Sequence, residues 1–373
     1  MKFYLDIKKI VKPNILDCNA YIAGKPIEEV QKLLGLKDVI KLASNENPLG
    51  PSPKAVETIM HYVHSLNYYP DDANVRFKAA LAGHWNLKPG NIFVGNGSMQ
   101  LLELICKTFV GGGDEVVAGK PSFRVFYELV RAAGGNLVEV PLKNYVHDLP
   151  AMLKAITGRT KLVIICNPNN PTGTVVSHEE INEYLKNVPD HLITILDEAY
   201  IDFADNFRDP LDYLKTGKKL IILRSFSKIY GLAGLRLGYG ITTEDVSDMI
   251  ERARMPFTVS LLAQTAGISA LKDEEFRLKT IENNNEVKAL MYKRFEEMGL
   301  EYVPTQANFI AVNVKTDDLM VFNELLKEGV IVFAGTNTFM PGFLRVTIGT
   351  PSQAERFLKA LEKVLSAHKT YIK

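Results

Sequence analysis

One lysine in the chain has neighbours that could support chemistry at its amine. Lys228 comes one residue after Ser227 and three after Ser225. The apolar stretch 220–223 before it has the length and β-branched content of a buried strand, and Arg236 follows eight residues later. A lysine amine can form a Schiff base with an aldehyde when burial or a nearby cation destabilises its ammonium form. Taken alone, the pattern is more typical of a surface lysine in a serine-containing loop. A reactive lysine is therefore predicted only together with motifs elsewhere in the chain.

Polar residues also follow other predicted strands. The strand over 192–196 ends at Asp197, and a buried carboxylate is costly unless it meets a cation. The simplest partner here is the protonated ring nitrogen of a pyridine. The preceding strand leads into a loop fixed by two prolines, in which the Asn170 amide can donate hydrogen bonds to an oxyanion. Gly97 and Ser98 open a helix whose first amides favour an anion.

Competing phosphate and metal sites are excluded by their own motifs. The glycines within 95–97 lack the third glycine of a dinucleotide fingerprint, and the stretch 119–121 has a proline where a P-loop needs Ser or Thr. His61 and His64 share a predicted helix without a third ligand nearby. We therefore expect no metal, and a site made of one lysine, one buried aspartate, amide donors and a phosphate cradle.

Composition limits the class of protein. The chain has 373 residues, is 46% hydrophobic and carries a formal net charge of +1, so neither a nucleic-acid protein nor a membrane-surface protein is expected. Its three cysteines have no disulfide or metal spacing, which favours a reducing compartment. Without an apolar run long enough for a bilayer or a signal peptide, the sequence predicts a soluble cytoplasmic protein.

The elements that must position these residues alternate between strand and helix from residue 92 onward, which predicts an α/β fold with a mostly parallel sheet. We expect an N-terminal arm over 1–35, a large domain over 36–255 and a smaller α+β domain over 256–373. The seven strands expected in the large sheet are 92–94, 115–118, 137–140, 161–166, 192–196, 220–223 and 235–239. Strand-end loops then share one edge, where their polar residues can converge.

Four motifs occur in the order seen in one enzyme family. They are Asn-Pro-Asn-Asn-Pro-Thr-Gly at 167–173, Asp-Glu-Ala-Tyr at 197–200, Ser-Phe-Ser-Lys at 225–228, and Leu-Arg-Val-Thr-Ile-Gly-Thr at 344–350. Nearly end to end, the chain resembles the fold-type I aminotransferases that use pyridoxal 5'-phosphate. Through Gly24-Lys25-Pro26-Ile27, the stretch 42–50 and Tyr69-Pro70-Asp71, it is most similar to the histidinol-phosphate aminotransferase family.

The resemblance implies a role for each matching residue. Lys228 would carry the cofactor as a Schiff base and later move the substrate proton, Asp197 would pair with the pyridinium nitrogen, and Tyr200 with Asn170 would bond the phenolate oxygen. The large domain would hold the cofactor through Gly97, Ser98, Phe123, Asn170, Asp197, Tyr200, Ser225, Ser227, Lys228 and Arg236. Tyr69 would reach the phosphate of a partner subunit, which implies a homodimer with shared sites. The substrate would meet Arg345, Tyr21, Asn47, Asn170 and Phe333.

One departure from the family pattern concerns the substrate pocket. Members that act on histidinol phosphate usually carry a second arginine after the strand 330–332, where this chain has Phe333. The resemblance therefore implies transfer of the amino group of histidinol phosphate to 2-oxoglutarate, with phenylalanine or tyrosine as the alternative amino donor because Phe333 offers an apolar wall. A decarboxylase on the same scaffold and a cofactor-binding regulator are further alternatives, although a regulator would need a DNA-binding module that the sequence lacks.

Overall fold

The computed structural model describes residues 6–20, 24–205 and 209–369. Its helices are α1 Pro13–Leu16, α2 Ile27–Leu34, α3 Pro53–Tyr62, α4 Val75–Trp85, α5 Ser98–Phe109, α6 Val125–Ala133, α7 Leu149–Lys154, α8 His178–Asn187, α9 Pro210–Leu214, α10 Glu244–Ala253, α11 Leu261–Ala270, α12 Glu274–Glu297, α13 Asp318–Lys327 and α14 Pro351–Lys369. Its strands are β1 Ile40–Lys41, β2 Ile92–Gly95, β3 Glu115–Lys120, β4 Asn136–Pro141, β5 Thr160–Cys166, β6 Ile193–Asp197, β7 Leu220–Ser225, β8 Gly238–Ile241, β9 Tyr302–Val303, β10 Phe309–Asn313, β11 Val330–Ile331, β12 Phe333–Ala334 and β13 Phe343–Thr347. Among these helices, none is long and apolar enough to cross a membrane.

The predicted seven-stranded sheet is confirmed. Its strand order is β2-β8-β7-β6-β5-β3-β4, and only the pairings of β8 are antiparallel. The central strands are mostly apolar and mostly buried, because helices cover both faces of the sheet. Cys166 pairs with Asp197, and Asp197 with Leu223, so β5, β6 and β7 end side by side. The three loops that follow them open on the same edge.

The last strand of this sheet lies later than the sequence pattern predicts. We expected it over 235–239, but β8 begins at Gly238 because Ala233–Leu235 forms a 3-10 turn. Arg236 then adopts a left-handed backbone conformation with φ of 53°, which ends the turn and is incompatible with a strand. A short apolar run after a loop does not reveal such a turn, since the apolar residues serve the turn and the strand equally.

A second, smaller sheet is formed by the C-terminal part of the chain, in the antiparallel order β12-β13-β10-β9. The strand expected over 330–332 is shorter, and a second short strand follows it. The first, β11, pairs in parallel with β1, whereas the second, β12, pairs with β13. Residues 40–42 therefore pack with the C-terminal sheet, and the amide of Thr347 donates to the carbonyl of Leu42 at 2.8 Å. This connection places the stretch 43–47 between the two sheets.

The N-terminal segment lies against the outside of the large sheet's helices. The Asn14 side chain donates to the carbonyls of Arg131 and Ala132, both at 2.9 Å, and so satisfies carbonyls at the end of α6. Several apolar side chains of this segment remain exposed, including Ile7 and Ile10 at 65% and 62%. None of the described residues 6–20 is buried, and the arm over 1–35 stays a prediction.

Candidate active site

A cavity of about 240 Å³ opens at the ends of β5, β6 and β7. It lies where the large sheet, the C-terminal sheet and the stretch 43–46 meet. Its lining is formed by Gly24, Ala43, Ser44, Asn45, Glu46, Ser98, Met99, Phe123, Cys166, Asn170, Asp197, Ala199, Tyr200, Ser225, Ser227, Lys228, Ala233, Arg236, Phe333 and Arg345. The strand-end residues singled out in the sequence are therefore gathered at one site, together with residues from the C-terminal sheet.

Lys228 enters this cavity three residues beyond the end of β7. Its Nζ donates to the carbonyl of Ser44 at 3.0 Å and lies 5.5 Å from the centroid of the Tyr200 ring. Burial, followed by the positive charge of Arg345, lowers the pKa of Lys228 to about 7, although Glu46 opposes this shift. A substantial fraction of the amine is therefore uncharged at neutral pH, as a nucleophile or a proton acceptor requires.

Asp197 is the last residue of β6 and is only 4% exposed. Its Oδ1 accepts a hydrogen bond from the amide of Ala199 at 3.2 Å, and no Lys, Arg or His of the described ranges forms an ion pair with it. Burial raises the pKa of this carboxyl to about 7, which the Ala199 amide partly offsets. A cation within the cavity would restore its charged form.

The ends of β6 and β7 are joined by a buried ion pair. Glu198 follows Asp197, Arg224 precedes Ser225, and Glu198 Oε2 lies 2.6 Å from Arg224 Nη2 with both side chains almost fully buried. The Arg224 guanidinium also lies 5.1 Å from the Trp85 ring. Breaking such a pair leaves an uncompensated buried charge, so the two strand ends are held in a defined relative position.

Tyr200 is hydrogen-bonded by two asparagine amides. Asn45 Nδ2 donates to its hydroxyl at 3.0 Å, and Asn170 Nδ2 approaches it at 3.5 Å. Burial raises the pKa of Tyr200 to about 12, while Arg345 and the Asn45 hydrogen bond oppose the rise. The hydroxyl is thus protonated at neutral pH and available to an acceptor in the cavity.

An anion cradle occupies another part of the lining. Arg236 Nη1 lies 3.4 Å from Ser227 Oγ and donates to the carbonyl of Ala233 at 3.2 Å. Gly97, with a φ of 81°, caps α5 at the point where the Arg236 guanidinium passes, and a Cβ there would collide with that guanidinium. Ser98 begins α5, whose free amides and dipole favour negative charge. These groups together suit a phosphate.

Arg345 comes from β13 and forms the opposite wall. Its Nη1 donates to Asn170 Oδ1 at 2.7 Å and its Nη2 to the carbonyl of Ala43 at 2.6 Å. The guanidinium stacks against Phe333, 4.8 Å from the ring centroid. Held from two sides, it presents a fixed positive charge to the cavity, where it could bind a carboxylate or a phosphate.

The remaining predicted residues occupy varied positions. Phe123 lines the cavity, with its ring edge-on to Phe126. Asn47 lies outside the lining: its Nδ2 donates to the carbonyls of Lys228 and Ile229 and to Thr280 Oγ1. Tyr69 is 82% exposed, stacks on Phe257 and does not reach the cavity of its own chain. Tyr21 lies outside the described residues.

The sequence reasoning missed Ser44, Asn45 and Glu46 as cavity residues. All three belong to the stretch 42–50, which supported only the family resemblance and was not assigned to the site. Asn45 is 1% exposed and has a φ of 55°, a conformation that asparagine adopts more readily than most residues. The only local signal was a polar run, Asn-Glu-Asn-Pro, immediately after an apolar segment.

Taken together, the cavity offers a nucleophilic amine, an anion cradle and a buried carboxyl that forms no ion pair with the part of the chain that the structure describes. Those three features suit a molecule that carries an aldehyde, a phosphate and a basic ring nitrogen. A substrate with an anionic group could meet Arg345 on the opposite wall.

Comparisons with known proteins agree with this chemistry. The sequence pattern of aminotransferase class I and II matches residues 37–361. The chain is 48% identical to a histidinol-phosphate aminotransferase of Moorella thermoacetica, over 94% of this chain and 92% of that protein. It is 44% identical to a histidinol-phosphate aminotransferase of Akkermansia muciniphila, over 97% and 100%.

Solved structures are similar over the same extent. The histidinol-phosphate aminotransferase of Sinorhizobium meliloti, crystallised with pyridoxal-5'-phosphate, superposes with a TM-score of 0.86 at 27% identity, covering 95% of this chain and 97% of that one. A Thermus thermophilus aspartate aminotransferase with maleate gives a TM-score of 0.82 at 22% identity over 95% and 99%, which shows a common fold alone. From its matched pattern, its relatives and its fold, the chain belongs to the class I and II aminotransferase family.

Proposed function

We propose that this aminotransferase uses pyridoxal 5'-phosphate to transfer the amino group of histidinol phosphate to 2-oxoglutarate, yielding imidazole-acetol phosphate and glutamate in histidine biosynthesis. The single observation that carries the proposal is the cavity in which the amine of Lys228, the carboxyl of Asp197 and the guanidinium of Arg345 converge. The relatives named for this reaction, at 44% to 48% identity over nearly the whole chain, support the choice of substrate.

The donor set fits each end of the proposed cofactor. Arg236, Ser225, Ser227 and the start of α5 would hold the phosphate, and Lys228 would bind the aldehyde carbon. Asp197 would face the ring nitrogen, whose positive charge would offset the desolvation that raises the carboxyl pKa to about 7. When bound, the cofactor supplies an electron sink for the bonds at the substrate's amine-bearing carbon.

The residues of this chain would then handle the proton and the substrate. Because the pKa of Lys228 is lowered to about 7, its amine can accept the proton from the substrate carbon at neutral pH and return it elsewhere. Tyr200, protonated and anchored by Asn45 and Asn170, would donate a hydrogen bond to an anionic oxygen in the cavity. Arg345 would hold the substrate's anionic group, and Phe333 would flank it.

We further propose a homodimer with shared sites, working in the cytosol. Exposed apolar side chains lie near Tyr69 in the sequence, or near Phe257, which packs on it, as at an interface: Met60, Leu66, Tyr68, Met255 and Phe257. Tyr69 is 82% exposed. In the proposed dimer, its side chain would contact the second copy and reach the phosphate cradle of that copy. Cys18, Cys106 and Cys166 are free thiols, in keeping with a reducing compartment.

A second candidate is an aromatic amino-acid aminotransferase. Phe333 lines the cavity 4.8 Å from the Arg345 guanidinium, so it presents an apolar ring where a second cation could have served a phosphate. A free amino acid carries only a carboxylate monoanion, for which one guanidinium suffices, and its side-chain ring could pack against Phe333.

Steady-state kinetics with 2-oxoglutarate as acceptor separates the two candidates. We expect kcat/KM for histidinol phosphate to exceed that for phenylalanine and tyrosine by at least about a hundredfold, the selectivity typical of a site that pairs a substrate's charged group. Lys228→Ala should abolish turnover with every donor, and borohydride reduction should attach the cofactor to wild type but not to this variant. Lys107→Ala, which removes an exposed lysine that also donates to a carbonyl, is the matched control.

A higher kcat/KM for phenylalanine or tyrosine than for histidinol phosphate would reject the first candidate in favour of the second. Normal turnover by Lys228→Ala would reject both candidates, because each depends on the same amine.

A further inference from the structure

Asn45 joins three parts of the chain that are remote in sequence. Its side chain contacts Tyr200, in the loop after β6, and Thr347, at the end of β13. Its carbonyl accepts from Asn308 Nδ2, just before β10, at 3.1 Å. The residue is 1% exposed, so its hydrogen bonds are made almost entirely within the protein and not to solvent.

The hydrogen bonds between Asn45 and Thr347 determine which way the Asn45 amide faces. The backbone N–H of Asn45 donates to Thr347 Oγ1 at 2.9 Å. A hydroxyl carries one hydrogen, and that of Thr347 can be donated to Asn45 Oδ1, 3.2 Å away. The carbonyl side of the amide is therefore held towards Thr347. Its Nδ2 is left to face the Tyr200 hydroxyl at 3.0 Å, where it can act only as a donor.

The second amide at the Tyr200 hydroxyl is oriented in the same way. Asn170 Oδ1 accepts from Arg345 Nη1 at 2.7 Å, which leaves its Nδ2 directed at the hydroxyl, 3.5 Å away. Two N–H groups thus occupy the acceptor side of the hydroxyl oxygen. The hydroxyl hydrogen has to be donated in a different direction, and Tyr200 lines the cavity.

We propose that Asn45 and Thr347 are positioning residues. They orient the Tyr200 hydroxyl so that it donates a hydrogen bond into the cavity, towards the anionic oxygen of the bound cofactor. This inference rests on the proposed function for the identity of that acceptor. It gives Thr347, which does not line the cavity, a part in the reaction through two hydrogen bonds. It also ties the geometry of the active site to β13 of the C-terminal sheet.

A hydrogen bond to the anionic oxygen stabilises the deprotonated form of the bound cofactor and lowers the pH at which its visible absorption changes. Thr347→Val keeps the shape of the side chain but removes the hydroxyl, so the Asn45 amide loses its fixed orientation. We expect the absorption midpoint, the pH at which this change is half complete, to rise by up to about one unit. We also expect kcat to fall about tenfold, because either change corresponds to the loss of one hydrogen bond. Thr347→Ser, which retains the hydroxyl, should restore both values.

Thr194→Val is the matched control. Thr194 is a buried threonine of β6 whose hydroxyl contacts that of Tyr184 at 3.1 Å, outside the cavity. Its loss removes a comparable threonine–tyrosine hydrogen bond and should leave the absorption midpoint unchanged. Asn45→Gly is the second test variant, because glycine adopts the φ of 55° without strain and only the amide is removed. It should shift the midpoint in the same direction as Thr347→Val.

The proposal is overturned if folded Thr347→Val or folded Asn45→Gly titrates like wild type, or if Thr194→Val shifts as much as Thr347→Val. Circular dichroism and thermal melting establish which variants fold, and either test variant suffices. Failure of the proposed function gives a different result, since wild type itself would then show no cofactor absorption or no transamination.

Discussion

Burial moves the pKa values of Asp197 and Lys228 towards each other from opposite ends of the scale. Each approaches about 7 in the cavity, the carboxyl from 3.8 and the amine from 10.5. Both shifts disfavour the charged form of a side chain, so the unliganded protein stores a cost that a complementary ligand can relieve. At the scale of single residues, burial of Asp197 and Lys228 lowers the free energy of unfolding at neutral pH, while it keeps both groups ready to react.

Asp197→Asn tests this cost in the cofactor-free protein. A carboxyl whose pKa is raised on folding contributes stability that is fully present below the unfolded pKa near 4 and is lost as the pH rises through about 7. Asparagine never ionises and can still accept from the Ala199 amide. The variant should therefore match wild type near pH 4 and be more stable by up to about 4 kcal/mol at pH 8.

Urea unfolding of the two cofactor-free proteins from pH 4 to pH 8 measures this difference. The same substitution at the exposed Asp248 of α10 should show no such rise. A difference for Asp197→Asn that stays constant with pH would contradict the buried, cation-free carboxyl. Catalysis by the variant should fall sharply, because the ring nitrogen of the cofactor would lose its counter-charge.

At the scale of elements, the loop after β7 is held by a close backbone approach. Gly231, with a φ of 66°, passes the carbonyl of Gly50 so closely that a Cβ would collide with that group and with Pro51. Next to it, the amide of Ser52 donates to the carbonyl of Tyr230 at 3.0 Å. The loop that carries Lys228 is therefore seated on the start of α3, and its position depends on a glycine.

Gly231→Ala should destabilise the protein more than the backbone conformation alone requires. Gly217 has a similar φ of 73°, but a Cβ added to it would meet no atom within 4 Å, so Gly217→Ala isolates the cost of the left-handed backbone, about 1 kcal/mol. Gly231→Ala adds a clash with backbone that cannot rotate away, and a total of at least about 3 kcal/mol is expected. Urea unfolding at constant pH measures both, and equal losses would show that the close approach contributes nothing.

At the scale of the whole molecule, the site as seen in one chain lacks the contact proposed for Tyr69. The 82% exposed side chain stacks on Phe257, and its turn is held by the bidentate pair between Asp72 and Arg254, with distances of 2.9 and 3.1 Å. That pair lowers the pKa of Asp72 to about 2, so the turn stays charged and fixed across the physiological range. In the proposed dimer, Tyr69 would therefore already be in place to contact the second copy.

Mixing two impaired variants tests the proposed homodimer with shared sites. Lys228→Ala is expected to be inactive, and Tyr69→Phe to bind the cofactor about tenfold more weakly, the equivalent of one hydrogen bond. After subunit exchange, the hybrid contains one site with an intact Lys228 and with Tyr69 of the partner subunit. Activity at limiting cofactor should therefore rise above the mean of the two parents.

The matched control mixes wild type with the double variant Lys228→Ala/Tyr69→Phe. In that hybrid the wild-type lysine faces the altered residue, so no intact site forms and no rise is expected. Equal behaviour of the two mixtures would contradict a site shared between subunits.

The amino-acid sequence by itself determined the sheet and the reactive groups. Strands such as 220–223 are apolar on both faces, a pattern that few structures other than a covered parallel sheet can bury. Asp197 follows the predicted strand 192–196 directly, and Lys228 lies in the loop after 220–223. Their meeting could be predicted because the ends of neighbouring parallel strands share one edge. The anion cradle was predictable for the same reason, since Ser98 begins a helix directly after β2.

Only the tertiary structure decided how these groups are oriented and tuned. Asn45 and Thr347 are 302 positions apart, and the hydrogen bonds between them exist only because β1 pairs with β11 and so brings the stretch 43–47 to the C-terminal sheet. The pKa shifts likewise depend on burial from every side, which no local pattern encodes. Residue type and strand position set which chemistry is available, whereas long-range packing sets the direction of each hydrogen bond and the charge of each group.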